Sequence, residues 1–391
     1  MGTLEIKKSG TSMNDIGALV VYGLTNALLV YKYTSRITVH PGMASLLYLV
    51  LASSFMLLLY RRTEFRVGPP TQTLIYFSFV VFLAILLTSL MLHFDPGKIR
   101  VGRYPAMHDW ISRLLDSEFP YASPTRPSGF PFLFAMAMPF YLVGDLGLLQ
   151  IFSFLIFAFL VHLRYRQQRT NEFRCLLLLV SAPIFLYEVI VRSDLFSNMV
   201  LLMLYLAVFE MFGQRAGRIT LCLLGVLGGL LLSTRGIALL VYIPILGHLL
   251  KKPVINCGLF LLSVSAGFLL SLVPFAVWDW SYFTRLGPLS IQLSYVSNWL
   301  LVLALACSIG CAAMIRTLKR AYSCVAFTLF GVICVSFIMS VLHFGWHRTV
   351  AGDRFDISYF CLALPFLLIS LDFPGNERVS RNGMFAIRPI A

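Results

Sequence analysis

Charge is what this chain has least of. Asp, Glu, Lys and Arg together make up 12% of its 391 residues, where a soluble domain carries roughly 25%. That excludes an ordinary water-soluble globule. Acidic residues are scarcest, 17 against 31 Lys and Arg. Nucleic acid does not explain the basic excess, because the cations fall in short clusters between apolar runs. That is the positive-inside pattern, and its natural partners are anionic lipid headgroups. The eight cysteines, Cys175 to Cys361, lie in or at the ends of apolar stretches, with no CxxC and no paired loop cysteines. Neither a disulfide frame nor a zinc knuckle is supported. A cleavable signal pattern is also lacking: the first apolar run follows Lys7-Lys8 and reads as a retained helix.

What remains is apolar, 59% of the residues with a mean hydropathy of +0.83. A helix needs roughly 20 such residues to cross the hydrocarbon. Runs at 15–33, 43–60, 73–92, 146–162, 175–191, 195–212, 219–233, 237–250, 254–277, 299–315, 321–342 and 357–371 qualify as spans. The expected fold is an all-α polytopic membrane protein of twelve to thirteen transmembrane helices. Three parts follow: two N-terminal helices in 1–72, a core in 73–371 and a cytoplasmic tail in 372–391. Placing the Lys/Arg clusters inside leaves both termini inside. The apolar stretch 130–144 is too short to cross without upsetting that alternation, so it is expected to be a half-span or surface helix broken near Pro139.

The informative interruption is the first outer loop, 93–130. It carries Asp95, Lys98, Arg103, His108 and Asp109. Later outer turns add Glu188, Arg192 and Asp194, then Arg235, then Arg285, Gln292 and Tyr295. The last contributes His343, His347, Arg348, Asp353, Arg354, Asp356 and Tyr359. Charges at helix ends of an apolar protein are costly unless wet, paired or used. Arginines on several loops suit a phosphate or pyrophosphate, because the guanidinium fork binds its oxygens bidentately. A carboxylate beside them suits a general base.

Base and anion clamp at the membrane surface, with grooves between helices for an isoprenoid tail, fit sugar transfer from a polyprenyl-phosphate donor. The acceptor hydroxyl would lose its proton to the carboxylate as it attacks the anomeric carbon. A single displacement of that kind inverts the centre, by analogy with inverting glycosidases. Asp95 is the first candidate base, with Asp109 and Asp194 behind it. Arg103, Arg192, Arg235 and Arg354 are candidates for the donor phosphate. His108, Glu188, His347 and Tyr359 complete the expected pocket. Plainer duties compete for several of these residues. Asp95-Pro-Gly is good turn chemistry, Asp109 sits in a surface helix, Asp194 can cap a helix or pair with Arg192, and Arg354 lies among Asp353 and Asp356. The histidines and Asp95 match no compact metal motif, so no metal ligand is assigned, although a divalent ion stays open.

The chain resembles the integral-membrane glycosyltransferases of the C superfamily (GT-C), which include protein O-mannosyltransferases and lipid A aminoarabinose transferases. The resemblance rests on a long first outer loop with an early aspartate, then Pro120-Tyr121, then Pro127-Ser-Gly-Phe-Pro131 and a helix closing on Gly144-Asp145. Arg192-Ser-Asp194-Leu and the run Arg354-Phe-Asp-Ile-Ser-Tyr359 leading to Pro365 extend it. It covers roughly 73–371 and implies a GT-C-like core using a lipid-linked sugar donor and a glycan, lipid or protein acceptor. The implied setting is the cell envelope, in a cytoplasmic (inner) membrane with the active site facing the periplasm or exterior. The commonest pattern has two adjoining acidic residues in the first loop, whereas here Asp95 and Asp109 stand apart. No large soluble C-terminal domain is expected, which argues against the oligosaccharyltransferase branch. The alternatives are a polyprenyl-lipid flippase or transporter and an O-antigen polymerase or ligase. The first would more often show repeats and helices broken at the midplane; the second usually places its large loop late.

Overall fold

A computed structural model describes residues 13–60, 69–99, 103–165, 169–213, 216–250, 256–294, 297–352 and 354–373. The helices in chain order are α1 (Met13–Thr34), α2 (Pro41–Tyr60), α3 (Pro69–His93), α4 (Arg103–Leu115), α5 (Pro131–Val143), α6 (Leu148–Tyr165), α7 (Arg169–Val180), α8 (Pro183–Ile190) and α9 (Leu195–Phe212). There follow α10 (Arg218–Leu232), α11 (Ala238–Leu249), α12 (Cys257–Trp278), α13 (Trp280–Leu286), α14 (Pro288–Ser294), α15 (Asn298–Met314), α16 (Leu318–Phe344), α17 (Trp346–Val350) and α18 (Leu364–Ser370). Short 3-10 turns occupy Pro120–Ala122 and Ile357–Ala363, and no strand occurs among the described residues.

Seven of these helices, α1, α2, α3, α6, α9, α12 and α16, are long and apolar enough to cross a membrane, and α7 with α8 adds an eighth as a broken span. The protein is a multi-pass α-helical membrane protein. Each of the twelve expected spans is met by helix, but four segments fall short of full length. With 12 to 17 residues, α10, α11 and α15 reach only about 18–26 Å at 1.5 Å per residue, against roughly 30 Å of hydrocarbon. The segment Ile357–Ser370 is likewise short and begins as 3-10 helix.

Two polar clusters mark the ends of the bundle. Asp15, near the start of α1, accepts the backbone N–H of Asp372 at 3.1 Å. Asp372 also binds Arg164 (3.2 Å), near the end of α6, and Lys319, at the start of α16. This is the far end. Lys32, 17 residues beyond Asp15 and so about 25 Å along α1, belongs to the opposite end, beside Asp356. That opposite end, the site end, gathers the polar loops.

The expected span 175–191 is broken. Helices α7 and α8 meet at 64° across Ser181-Ala182, and Pro183 opens the second helix. Proline cannot continue the first helix but suits the first turn of the next. The freed backbone groups find partners on α1, halfway along its length. Tyr22 Oη donates to the Leu178 carbonyl (2.8 Å), and the Ile184 N–H donates to Asn26 Oδ1 (3.0 Å). Broken helices are tolerated inside an apolar bundle only with such compensation.

Helix α5 does not run the length of the bundle. Its entry is tied by the Phe130 N–H to the Thr234 carbonyl (3.0 Å), and its exit by Asp145 to Arg192 (2.8 Å). Thr234 adjoins the Arg235–Asp194 pair, so both ends of this 13-residue helix sit at the site end. It leaves through Gly144 at φ 113°, a left-handed turn that suits glycine. The expected break of 130–144 near Pro139 does not occur: Pro139 lies within an unbroken helix, its missing N–H being absorbed without ending α5.

Candidate functional site

The site end is built around three arginines, each drawn from a different helix junction. Arg192 follows α8 in a left-handed backbone conformation, φ 51°, which costs a non-glycine residue about 1 kcal/mol. Its side chain holds it there. Nε donates to both Asp145 oxygens (2.8 and 3.1 Å), Nη1 to the Phe94 carbonyl (3.0 Å) and Nη2 to the Met91 carbonyl (3.3 Å). Arg192 therefore caps the C-terminus of α3 with positive charge, where the helix dipole favours it. The close approach needs Gly147, whose Cβ, if present, would lie 2.3 Å from Met91 Sδ and 2.7 Å from Arg192 Cγ.

Arg235, after α10, grips Asp194 side-on, Nε to Oδ2 and Nη2 to Oδ1, both at 2.7 Å. Both residues are buried. Asp194 stands at the N-cap of α9 without a side-chain capping bond, its oxygens being taken by the guanidinium. Arg103 opens α4. Nη2 reaches Asp356 Oδ2 (2.5 Å), and Nη1 reaches Ser358 Oγ (2.7 Å) and Ser193 Oγ (3.1 Å), with Glu188 Oε1 at 3.5 Å. The Tyr359 ring lies 4.6 Å from its guanidinium carbon.

Electrostatics follow from this packing. Burial pushes the Asp356 carboxyl up, but the Arg103 charge and the Ser358 hydrogen bonds outweigh it and hold that carboxyl below the usual carboxylate range. Burial works against the Arg103 charge as well. Asp356, Tyr359 and Glu188 more than offset it, so the guanidinium holds its proton more firmly than usual. Tyr104, beside Asp145, has its phenol raised by burial and then by that carboxylate. Three guanidiniums thus face four carboxylates, Asp145, Asp194, Glu188 and Asp356. Each of Arg103, Arg192 and Arg235, expected to meet a phosphate, is engaged by a carboxylate of the chain itself.

Above the arginines lies a folded cap. On α4, Met107, Trp110 and Ile111 recur at helical spacing and are buried. They enter a second core with Tyr121, Phe134, Leu272 and Phe283. Trp110 stacks on Phe134 with ring centroids 4.4 Å apart, and Tyr121 Oη donates to the Gly129 carbonyl (3.0 Å). Gln292 of α14 bridges the Ser128 carbonyl (2.5 Å) and the Gly236 N–H (2.7 Å), stapling the cap to the turn after Arg235.

The remaining expected residues lie outside these arginine pairs. Asp95 lies exposed in a turn, accepting the Gly97 N–H (2.9 Å) and facing Lys98 at 3.9 Å. Asp109 is half-buried under the cap loop, where Ser123 Oγ donates to its Oδ2 (3.2 Å). His108 is exposed, its ring 5.0 Å from that of Tyr141. His347 is exposed on α17, and Arg354 is exposed with its guanidinium 5.5 Å from the Phe344 ring. Asp353 and Tyr295 lie outside the described residues.

No family model, curated protein or solved structure matches this chain. The residues carry the functional reading alone. Among the described residues no three His, Cys, Asp or Glu side chains gather as a metal-holding group. Of the residues expected at the donor phosphate and in the substrate pocket, Arg103, Glu188 and Tyr359 lie side by side, whereas His108, His347 and Arg354 are exposed and show no contact with them among the described residues. Sequence reasoning missed Asp145 and Asp356 as arginine partners, along with Ser193 and Ser358. Asp145 was visible only as the end of a helix, and Asp356 only as a neighbour of Arg354.

Proposed function

We propose that this protein is a membrane-embedded glycosyltransferase that moves a sugar from a polyprenyl-phosphate donor to an acceptor hydroxyl at the membrane surface, with inversion. The observation that carries the reading is the gathering, at one end of an apolar bundle, of polar loops from helices distant in sequence beneath a folded cap. A lipid-borne donor and a water-borne acceptor can both reach such a place. Among the aspartates, Asp109 suits the general base best. Asp194 is consumed by Arg235, and Asp95 by its turn and Lys98. Asp109 is oriented by one serine hydroxyl through one oxygen, has no ion pair among the described residues, and leaves its other oxygen for a substrate proton. Arg354 is exposed and without an ion pair among the described residues, which suits it to the donor phosphate. In this reading Arg103, Arg192 and Arg235 fix the loops, and His108 with Tyr104 and Tyr141 borders the acceptor side.

The test is a reconstituted assay with a panel of radiolabelled polyprenyl-phosphate sugars and a membrane-glycan extract. Asp109→Asn is expected to lower transfer by about 100-fold or more, the usual scale for a lost general base, with unchanged thermal stability. Asp95→Asn should keep most of the activity. Loss in Asp95→Asn alone would return the base to Asp95, and full activity in both variants would refute a single carboxylate base. The bent α7–α8 pair favours a second reading, a lipid transporter, since transporters use helices broken at mid-depth. Donor lipid crossing the bilayer without any transfer would establish that reading instead.

A further inference from the structure

The chain has five tryptophans, and four of them are exposed at the same end of the molecule. Trp278 closes α12, Trp280 opens α13, Trp299 lies in the first turn of α15 and Trp346 opens α17. Each is between 44% and 66% exposed, whereas Trp110, inside the cap, is 1% exposed. All four belong to the site end. Trp278 packs on Phe119 of the cap (5.8 Å), and Trp346 on Tyr31 near the end of α1 (5.4 Å). Trp299 starts a helix whose other terminus, at Ile315, meets His248 near the far end of α11. The far end has no tryptophan; its polar groups include Asp15, Arg164, Lys319 and Asp372.

We infer that these four tryptophans form a one-sided ring that holds the site end at the headgroup level of a lipid bilayer. The chemistry beside each indole is that of the boundary. Toward the far end, Val277 beside Trp278 on α12, Val302 one turn beyond Trp299 on α15, and Leu342 on α16 just before Trp346 are exposed, as acyl chains require. Arg285 and Arg348, both exposed, follow Trp280 and Trp346 closely and match lipid phosphates in charge. Indole has an apolar body and one N–H donor, so it favours that boundary over both water and hydrocarbon. The ring brings the paired arginines to the depth of lipid phosphate groups. A lipid-borne headgroup would reach the cap by lateral diffusion, without leaving the interface. This holds whether the protein transfers sugars or moves lipids.

The experiment uses the full chain in phosphatidylcholine vesicles whose acyl chains carry bromine either near the headgroup or near the methyl end. Tryptophan fluorescence of the wild-type protein should be quenched more strongly by the shallow bromine than by the deep one, as expected for interfacial indoles. A variant with Trp278, Trp280, Trp299 and Trp346 all changed to Phe should lose most of that quenching, since Trp110 is shielded. Equal or stronger quenching by the deep bromine, or quenching by aqueous iodide alone, overturns the inference. The wild-type comparison decides the matter even if the quadruple variant does not fold.

Discussion

A guanidinium buried with its carboxylate has no solvent to fall back on. Asp194→Ala would strand Arg235 inside the protein, and breaking such a buried pair costs about 3–5 kcal/mol. The expected result is a clear drop in the thermal unfolding midpoint. Asp194→Leu combined with Arg235→Met should recover much of the loss, because removing both charges spares the unpaired one; no recovery would mean that the pair has a role beyond mutual neutralisation. Asp356 sets a pH dependence. Its folded value is depressed, so its contribution is present above the unfolded value of about 3.9 and is lost as pH falls through the lower folded value. Asp356→Asn should flatten the stability profile below about pH 4 relative to wild type, read by unfolding midpoints across that range. The residue types at this site were legible in the sequence, but their pairing was not. Arg235 and Asp194 lie 41 positions apart and Arg103 and Asp356 lie 253 apart. Hydropathy contains no term that joins them.

Helices were the most legible features, where one apolar run makes one straight element. The span expected at 195–212 is α9 to the residue, and that expected at 73–92 lies within α3. The run 175–191 hid its break because hydropathy counts apolar residues and ignores direction. Pro183 was the available signal. Asn26 is the residue on which the break depends most, since it supplies the acceptor for the Ile184 N–H. Asn26→Leu would leave that buried donor unmet, at a cost of about 1–3 kcal/mol, measurable as a lower unfolding midpoint; no change would show that the break is satisfied otherwise. Helices α10 and α12 touch through glycine. A Cβ at Gly229 would come within 2.0 Å of the Val264 carbonyl oxygen, and at Gly267 within 2.2 Å of the Val226 carbonyl oxygen. Those obstacles are backbone, so the helices must part. Gly229→Leu is expected to destabilise the pair by about 1–3 kcal/mol or more, and wild-type stability in that variant would contradict the contact.

At the scale of the whole molecule the two ends play different parts. The site end carries the cap, the arginines and the tryptophans, while the far end is a latch in which Asp372 binds Arg164 and Lys319 and leans on Asp15. Neutralising the latch with Asp372→Asn should lower stability while leaving chemistry at the other end intact. A variant that lost transfer but not stability would show that the ends are coupled. Alternating cation clusters made the two-ended plan visible in the sequence, but the depth of each short helix was not. A 12-residue run such as α11 is stable only because its neighbours enclose it, and enclosure is a property of the assembled bundle. The latch also has a topological meaning. Since the first and last described helical segments meet where Asp15 touches Asp372, the path from residue 13 to residue 373 is nearly a closed ring with its seam at one spot.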